Sequence, residues 1–352
     1  MQAEEFPAST AGYEDSVQAA PLLKEYRGGY LENLHCGHIA GVDANGSVRC
    51  SAGDPEWATF MRSAAKPFQA LPFFLEGMAE RFGFTPEEQT LLMASHRAMP
   101  YHVEALESMM RKLGLSEEAF ACKPTYPLDA SARDEIAAAR GPARAVYHNC
   151  SGKHLGLLAY CLGMGLPLES YASPDHPVQV RIVRILSELA GLPGREIRLA
   201  TDGCGLPVFG MPLRHMAQAF LKLACPDLIE DAALRAAATR VAERMNAYPN
   251  MISAPYLICP NLLADPNIVA KGGAKGVYCF ALKRERLAFA LKVIDGSEEE
   301  WPLIVASILE QIGYGNADTI ARMYRIGGRV IRNDNGAAVG ENKAVFSLKM
   351  GT

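Results

Sequence analysis

Apolar and polar positions along the chain set strand-like patterns at both ends and helix-like patterns between them. Tyr30 to Val42, the turn Asp43-Ala44-Asn45-Gly46 and Ser47 to Cys50 read as a β-hairpin, because Asn-Gly supplies the positive φ such turns need. Val277–Leu282 and Leu287–Val293 are two apolar runs joined by the charged turn Lys283–Arg286, the pattern of adjacent strands. In the middle, Thr85-Pro86-Glu87-Glu88 forms a capping box with proline at the first helical position. Ser116-Glu117-Glu118 is a weaker helix start. Asp175-His176-Pro177 opens a periodic run through Leu189 that stops at Gly191. Glu230 to Met245 places Leu234, Ala238, Val241 and Met245 on one helical face. Trp301–Ile312 is expected to be helical, with short strands at Glu196–Leu199, Asn267–Ala270, Gly328–Ile331 and Ala344–Leu348. This order predicts an α+β fold in which N- and C-terminal strands share one antiparallel sheet flanked by helices. A doubly wound sheet would need regular strand–helix alternation. With no repeat or linker, the expectation is a polar N-terminal tail over 1–20 and a single catalytic domain over 21–352 with a helix-rich middle.

Composition narrows the class. The 352 residues are 49% hydrophobic and 21% charged, which excludes disordered and collagen-like chains. A net charge of −4 argues against nucleic acid as a partner. The stretch before Lys24 lacks the basic start and apolar run of a signal peptide. The longest apolar stretch, Leu155 to Leu168, is interrupted by Gly163, Gly165 and Pro167 and falls short of the roughly 20 residues of a membrane helix. A cytoplasmic chain without a membrane partner is therefore expected. Nine cysteines, an odd and scattered set, point to a reducing compartment rather than a disulfide framework.

Four segments could carry chemistry. In Arg62-Ser63-Ala64-Ala65-Lys66-Pro67 the serine and lysine, three apart, share a face of a helical turn. A buried lysine that has lost its proton can activate such a hydroxyl. An N-cap serine beside a solvated lysine is the plainer alternative. The second segment, Tyr147-His148-Asn149-Cys150-Ser151-Gly152-Lys153-His154, allows a thiolate metal site, a Cys150–His154 nucleophilic pair, an anion-binding helix start, or only a capped helix. The third, Thr201-Asp202-Gly203-Cys204-Gly205, reads as a turn or a ligand loop; with Cys150 it offers two thiolates for one zinc ion. Ser95-His96 with His102, and Lys271-Gly272-Gly273, complete the set.

Together these segments, with Tyr26-Arg27-Gly28-Gly29, Glu32 and His35, resemble the serine-lysine asparaginases of the asparaginase II family. The resemblance spans most of the chain and implies a fold similar to serine β-lactamases and glutaminases, usually as a homodimer. Ser63-x-x-Lys66, Ser95-His96-Arg97 and Lys271-Gly272-Gly273 follow the order of the β-lactamase boxes S-x-x-K, S-D-N and K-T-G. Arg97 in place of Asn and Gly272 in place of Thr argue for an amide other than a penicillin. The resemblance implies hydrolysis of L-asparagine to aspartate and ammonia by two Ser-Lys pairs, Ser63/Lys66 and Ser95/Lys271. It further implies a zinc site of Cys150, Lys153 and Cys204, and substrate-holding or metal-neighbouring positions at Arg62, His154 and Asp202. The residues alone would have put His148 or His154 in the lysine's place. Two departures stand near the expected pocket: Arg97-Ala98-Met99, where a small, glycine-containing and acidic run is expected, and Lys275 in place of Glu. Other SxxK amidases such as a glutaminase, a cysteine amidase using Cys150 and His154, and a non-catalytic zinc-bound asparagine sensor are the alternatives.

Overall fold

The computed structural model describes residues 19–351; residues 1–18 of the expected tail lie outside them. Its strands are β1 (Ala20–Arg27), β2 (Tyr30–Asp43), β3 (Val48–Ala52), β4 (Ala58–Phe60), β5 (Arg198–Thr201), β6 (Pro207–Pro212), β7 (Ile268–Gly272), β8 (Val277–Leu282), β9 (Leu287–Val293), β10 (Val330–Arg332), β11 (Ala338–Ala344) and β12 (Lys349–Met350). The main sheet runs β10-β11-β1-β2-β9-β8-β7, with β3 paired to β2 and β12 to β3. Every pairing in it is antiparallel. Both ends of the chain thus build one sheet with helices around it, as the α+β reading expects. Strand β2, 14 residues long, spans two neighbours on one edge: β1 pairs with its first half and β3 with its second.

The centre of the core is the helix Lys66–Leu75, buried from Lys66 through Phe74. It packs against the helices Ser151–Met164, Pro177–Ala190 and Ala232–Ala247. Helix Leu213–Ala224 covers β2, β8 and β9 and buries Leu213, Met216, Phe220 and Leu223, an i, i+3, i+4 stripe that meets the apolar face of the sheet. A second, small sheet, β4-β6-β5, matters for the site: β4 leads to Arg62 and β5 to Asp202, and the shared partner β6 holds the two ends side by side.

The hairpin, the Thr85 capping box, the start at Pro177 and the stop at Gly191, and the strands β8 and β9 match the sequence pattern. Elsewhere tertiary pairing moves the boundaries. The strand expected at Ala344–Leu348 lies at Ala338–Ala344, in register with β1. Strand β1 and the helix Ala317–Gly327 were not expected. In β1, Lys24, Glu25 and Arg27 break up the apolar run, so alternation there is faint. Ser116 starts only a short 3-10 turn, Glu117–Ala119.

Candidate active site

The three boxes meet at one hydroxyl. A 3-10 turn, Arg62–Ala65, runs into helix Lys66–Leu75 and leaves Pro67 in its first turn, where a missing N–H removes no helical bond. The fully buried Lys66 amine donates to Ala94 O at 2.6 Å, Asn149 O at 3.0 Å and Ser95 Oγ at 3.1 Å. Lys271, inside β7 rather than just beyond it, donates to the same Ser95 Oγ at 2.9 Å and to Gly272 O at 2.7 Å. Three donors are all an ammonium has, so no bond from Lys66 reaches Ser63. The half-buried Ser63 Oγ makes no hydrogen bond among the described residues. Ser95 is held by its own backbone: its N–H donates to Ile252 O, and its carbonyl accepts from Ser253 Oγ and Arg97.

Of the five non-glycine residues with positive φ among the described residues, Arg140 and Arg286 lie in other turns and three lie beside the boxes. Arg62, Ala98 and Lys275 hold φ of 51°, 54° and 57°, and each sits beside one of the boxes. Left-handed geometry is costly for residues with a Cβ and collects at functional sites. Ala98 and Lys275 belong to the two departures already noted. At Gly273 a Cβ would lie 2.6 Å from Met61 O; only glycine lets the end of β7 reach the segment before Ser63.

Burial disfavours charge on both lysines. The Lys66 pKa is pushed down by burial, against the attraction of the Cys150 sulfur. Lys271 is pushed down to about 8, by burial first and then by the charges of Lys66 and Arg97. For Lys271 a fraction of neutral amine near neutral pH follows.

The thiol cluster adjoins Lys66. The neighbouring Cys204 sulfur holds Cys150 well below the ordinary thiol range against burial, and Cys150 in turn holds Cys204 above it. Lys153 Nζ donates to Cys204 Sγ at 3.1 Å. Burial works against its charge, but Cys150, Cys204 and Asp202 raise its pKa. Zn–S bonds of about 2.3 Å and Zn–N bonds of about 2.0–2.1 Å imply N···S edges of roughly 3.5 Å in a tetrahedral site. Two neighbouring sulfurs and an amine 3.1 Å from one of them fit that donor set after modest spreading, provided the metal displaces the remaining protons. His148 Nδ1 accepts from the Cys150 N–H. His154 is turned away, its Nδ1 bonded to Tyr171 OH at 2.6 Å, and makes no bond to Cys150.

Arg62 Nε donates to Asp202 Oδ1 at 2.8 Å, both partly buried. A cavity of about 430 Å³ opens beside Ser95 and Lys271, lined also by Arg97, Ser253, Tyr256 and Trp301. The sequence reading missed Ser253, Tyr256 and Trp301; no motif singles them out, and only the fold brings them to the cavity. His96 lies behind it, with Nε2 on Ser151 Oγ at 2.8 Å, tying the second box to the start of the thiol helix.

A hydroxyl shared by two buried amines lies on a cavity wall, within a fold of an antiparallel sheet with flanking helices. The family model described as L-asparaginase II matches residues 23–344, and the chain belongs to that family. Among solved structures it is similar to Mglu in its native form at 4.3 M NaCl, with 16% identity over 82% of this chain and a TM-score of 0.41. It spans 60% of that protein's length. A β-lactamase from Mycobacterium bovis is 12% identical over 78% of this chain and 94% of its own, TM-score 0.38. A Bacillus glutaminase is 12% identical over 80% and 92%, TM-score 0.38. No curated protein matches the sequence. Among the described residues no helix is long and apolar enough to cross a membrane.

Proposed function

We propose that the chain hydrolyses the side-chain amide of L-asparagine to L-aspartate and ammonia, with Ser63 as nucleophile and Ser95 as proton relay. The observation that carries this reading is the Ser95 hydroxyl held between the amines of Lys66 and Lys271. A hydroxyl touching two amines can take a proton from one and pass it to the other. A nucleophile needs the opposite, a free oxygen, and Ser63 supplies one.

The substrate's α-carboxylate and α-ammonium groups pair with Arg62 and Asp202, whose own contact presents opposite charges side by side. Ser63 Oγ attacks the amide carbon as its proton passes to neutral Lys66, one turn away; such contacts tighten only once substrate is bound. The Ser63 N–H, in the first turn of its helix, has no intrahelical acceptor and faces the developing oxyanion. The Gly273 N–H supplies no second donor, because it is taken by Val277 O. Ser95 relays the proton from Lys66 to the leaving nitrogen, ammonia departs, and water hydrolyses the β-aspartyl ester through the same groups. Cys150, Lys153 and Cys204 would hold a zinc ion, which when bound supplies a fixed positive charge beside the pocket; His154 neighbours that site. The chain works in the cytoplasm as a homodimer in this reading, supported by the exposed apolar tip Tyr30, Leu31 and Leu34 of the β1–β2 hairpin.

Ammonia release from asparagine, glutamine and a β-lactam, with zinc determined in the same sample, tests the proposal; absent or glutamine-preferring turnover refutes it. A second reading, attack by Ser95, draws on its two short amine contacts and its place on the cavity wall. Acid quenching during turnover and peptide mapping would locate the acyl group on Ser63 or on Ser95.

A further inference from the structure

A second cluster lies apart from the thiols. His35, in β2, points its Nδ1 at Asp295 Oδ2, 2.7 Å away. Its Nε2 faces Glu25 Oε1 at 3.3 Å and Glu300 Oε1 at 3.4 Å. One donor atom from each of Glu25, His35 and Glu300 falls within 4.8 Å of the others. Asn33 Oδ1 accepts from the Leu34 N–H, which turns its amide nitrogen toward Nε2 at 3.1 Å. With its proton on Nδ1 and given to Asp295, His35 turns the Nε2 lone pair toward Asn33, Glu25 and Glu300. Two carboxylate oxygens then face the same lone pair with no proton between them. The Glu300 carboxylate is at the same time buried: the residue is 5% exposed, and its Oε2 has no hydrogen-bond partner among the described residues. A buried carboxylate oxygen without a partner is costly, and a cation that takes the Nε2 lone pair in place of the Asn33 amide relieves both faults.

The dimensions fit. Bonds of about 2.0–2.2 Å from a tetrahedral divalent ion to nitrogen and carboxylate oxygen place the ligand atoms roughly 3.3–3.5 Å apart; the two measured edges are 3.3 and 3.4 Å. Asp295 on the far ring nitrogen is the carboxylate–histidine partner that orients metal-binding imidazoles. Glu25, with a quarter of its side chain exposed, leaves a route from solvent.

We propose that Glu25, His35 and Glu300 form a second metal site, for a divalent cation on one imidazole and two carboxylates. The site ties β1 and β2 to the segment Asp295–Trp301. Glu298, Glu299 and Trp301 of that segment line the cavity beside Ser95, so the ion braces the cavity wall without touching the Ser95 relay.

Cobalt(II) is the probe, because thiolate ligands give it an intense sulfur-to-metal charge-transfer band and nitrogen–carboxylate ligands do not. The full chain, stripped with chelator, is titrated with Co²⁺ and bound metal is counted by equilibrium dialysis. One equivalent bound without charge-transfer absorption is expected, whatever the thiols do. Glu300→Gln should lose that equivalent and keep any thiolate band, which also reports that the fold around Cys150 survives; Glu25→Gln should weaken it at least tenfold. Circular dichroism matching the parent confirms folding of each variant. No equivalent free of charge transfer, or one that persists in both variants, overturns the site.

Discussion

In the proposed reaction Ser95 and Ser63 divide the work by what each oxygen already touches. Replacement of Ser63 by alanine is expected to lower kcat by about 10⁴-fold or more, as loss of a nucleophile does, with little change in the unfolding midpoint. Ser95→Ala should also cripple turnover, but acyl-enzyme should accumulate in it if ammonia expulsion and water attack need the relay. Mass spectrometry of quenched reactions separates the two; acylation surviving at full rate in Ser63→Ala removes Ser63 from its role. Lys271 sets a pH dependence. Its pKa is lowered to about 8, so the amine is charged below that value and neutral above it. If the neutral form is needed, kcat/KM rises as pH increases through about 8 and then levels. The same shift bears on stability: between about 8 and the usual lysine value the unfolded chain binds the extra proton, so this group's contribution to stability increases with pH across that window. A profile flat from pH 7 to 9 would mean Lys271 is not titrating in the rate-determining step. Sequence spacing shows only part of how serine and lysine pair. Ser63 and Lys66 are correctly placed one turn apart, yet burial turns the amine to two carbonyls and to a serine 29 positions further on.

Elements carry these side chains, and their close approaches are specific. Gly273→Ala would push the end of β7 off Met61 O, at a cost of about 1–3 kcal/mol for overpacking, and would move Lys271 relative to Ser63. Activity should fall further than the loss of stability explains at temperatures where the variant is fully folded. Lys275 is the converse case: an exposed residue with φ of 57° in the turn between β7 and β8. Lys275→Gly should raise stability by the roughly 1 kcal/mol that relief of left-handed strain gives, read as a higher unfolding midpoint; a lowered midpoint would show that its side chain matters more than its backbone. Elements with strong local signals were readable in advance: the Asn45-Gly46 hairpin, the Thr85 box, the Gly191 stop and the paired apolar runs of β8 and β9. Strand β1 was not, because half-exposed charged positions hide its alternation, and its stability comes from neighbours on both edges, β2 and β11.

Over the whole molecule the sheet closes the two ends of the chain against each other. Leu23 pairs with Ala344 and Arg27 with Gly340, contacts that need nearly the full chain. Truncation after Gly328 removes β10, β11 and β12 and uncovers an edge of β1. Loss of cooperative unfolding and a tendency to aggregate are expected of that variant; a soluble truncated form with the parent's midpoint would contradict this. What the sequence by itself determined is what local chemistry writes into a few neighbouring residues: an α+β order of elements, the cap and turn positions, and a family identity carried by short motifs with serine, lysine and cysteine in them. Which lysine touches which serine, that Arg62 meets Asp202, that Ser253 and Trp301 reach the cavity and that His35 faces two carboxylates were decided only by the tertiary structure. Those contacts join residues far apart in the chain, and their energies depend on burial and geometry that no local pattern encodes.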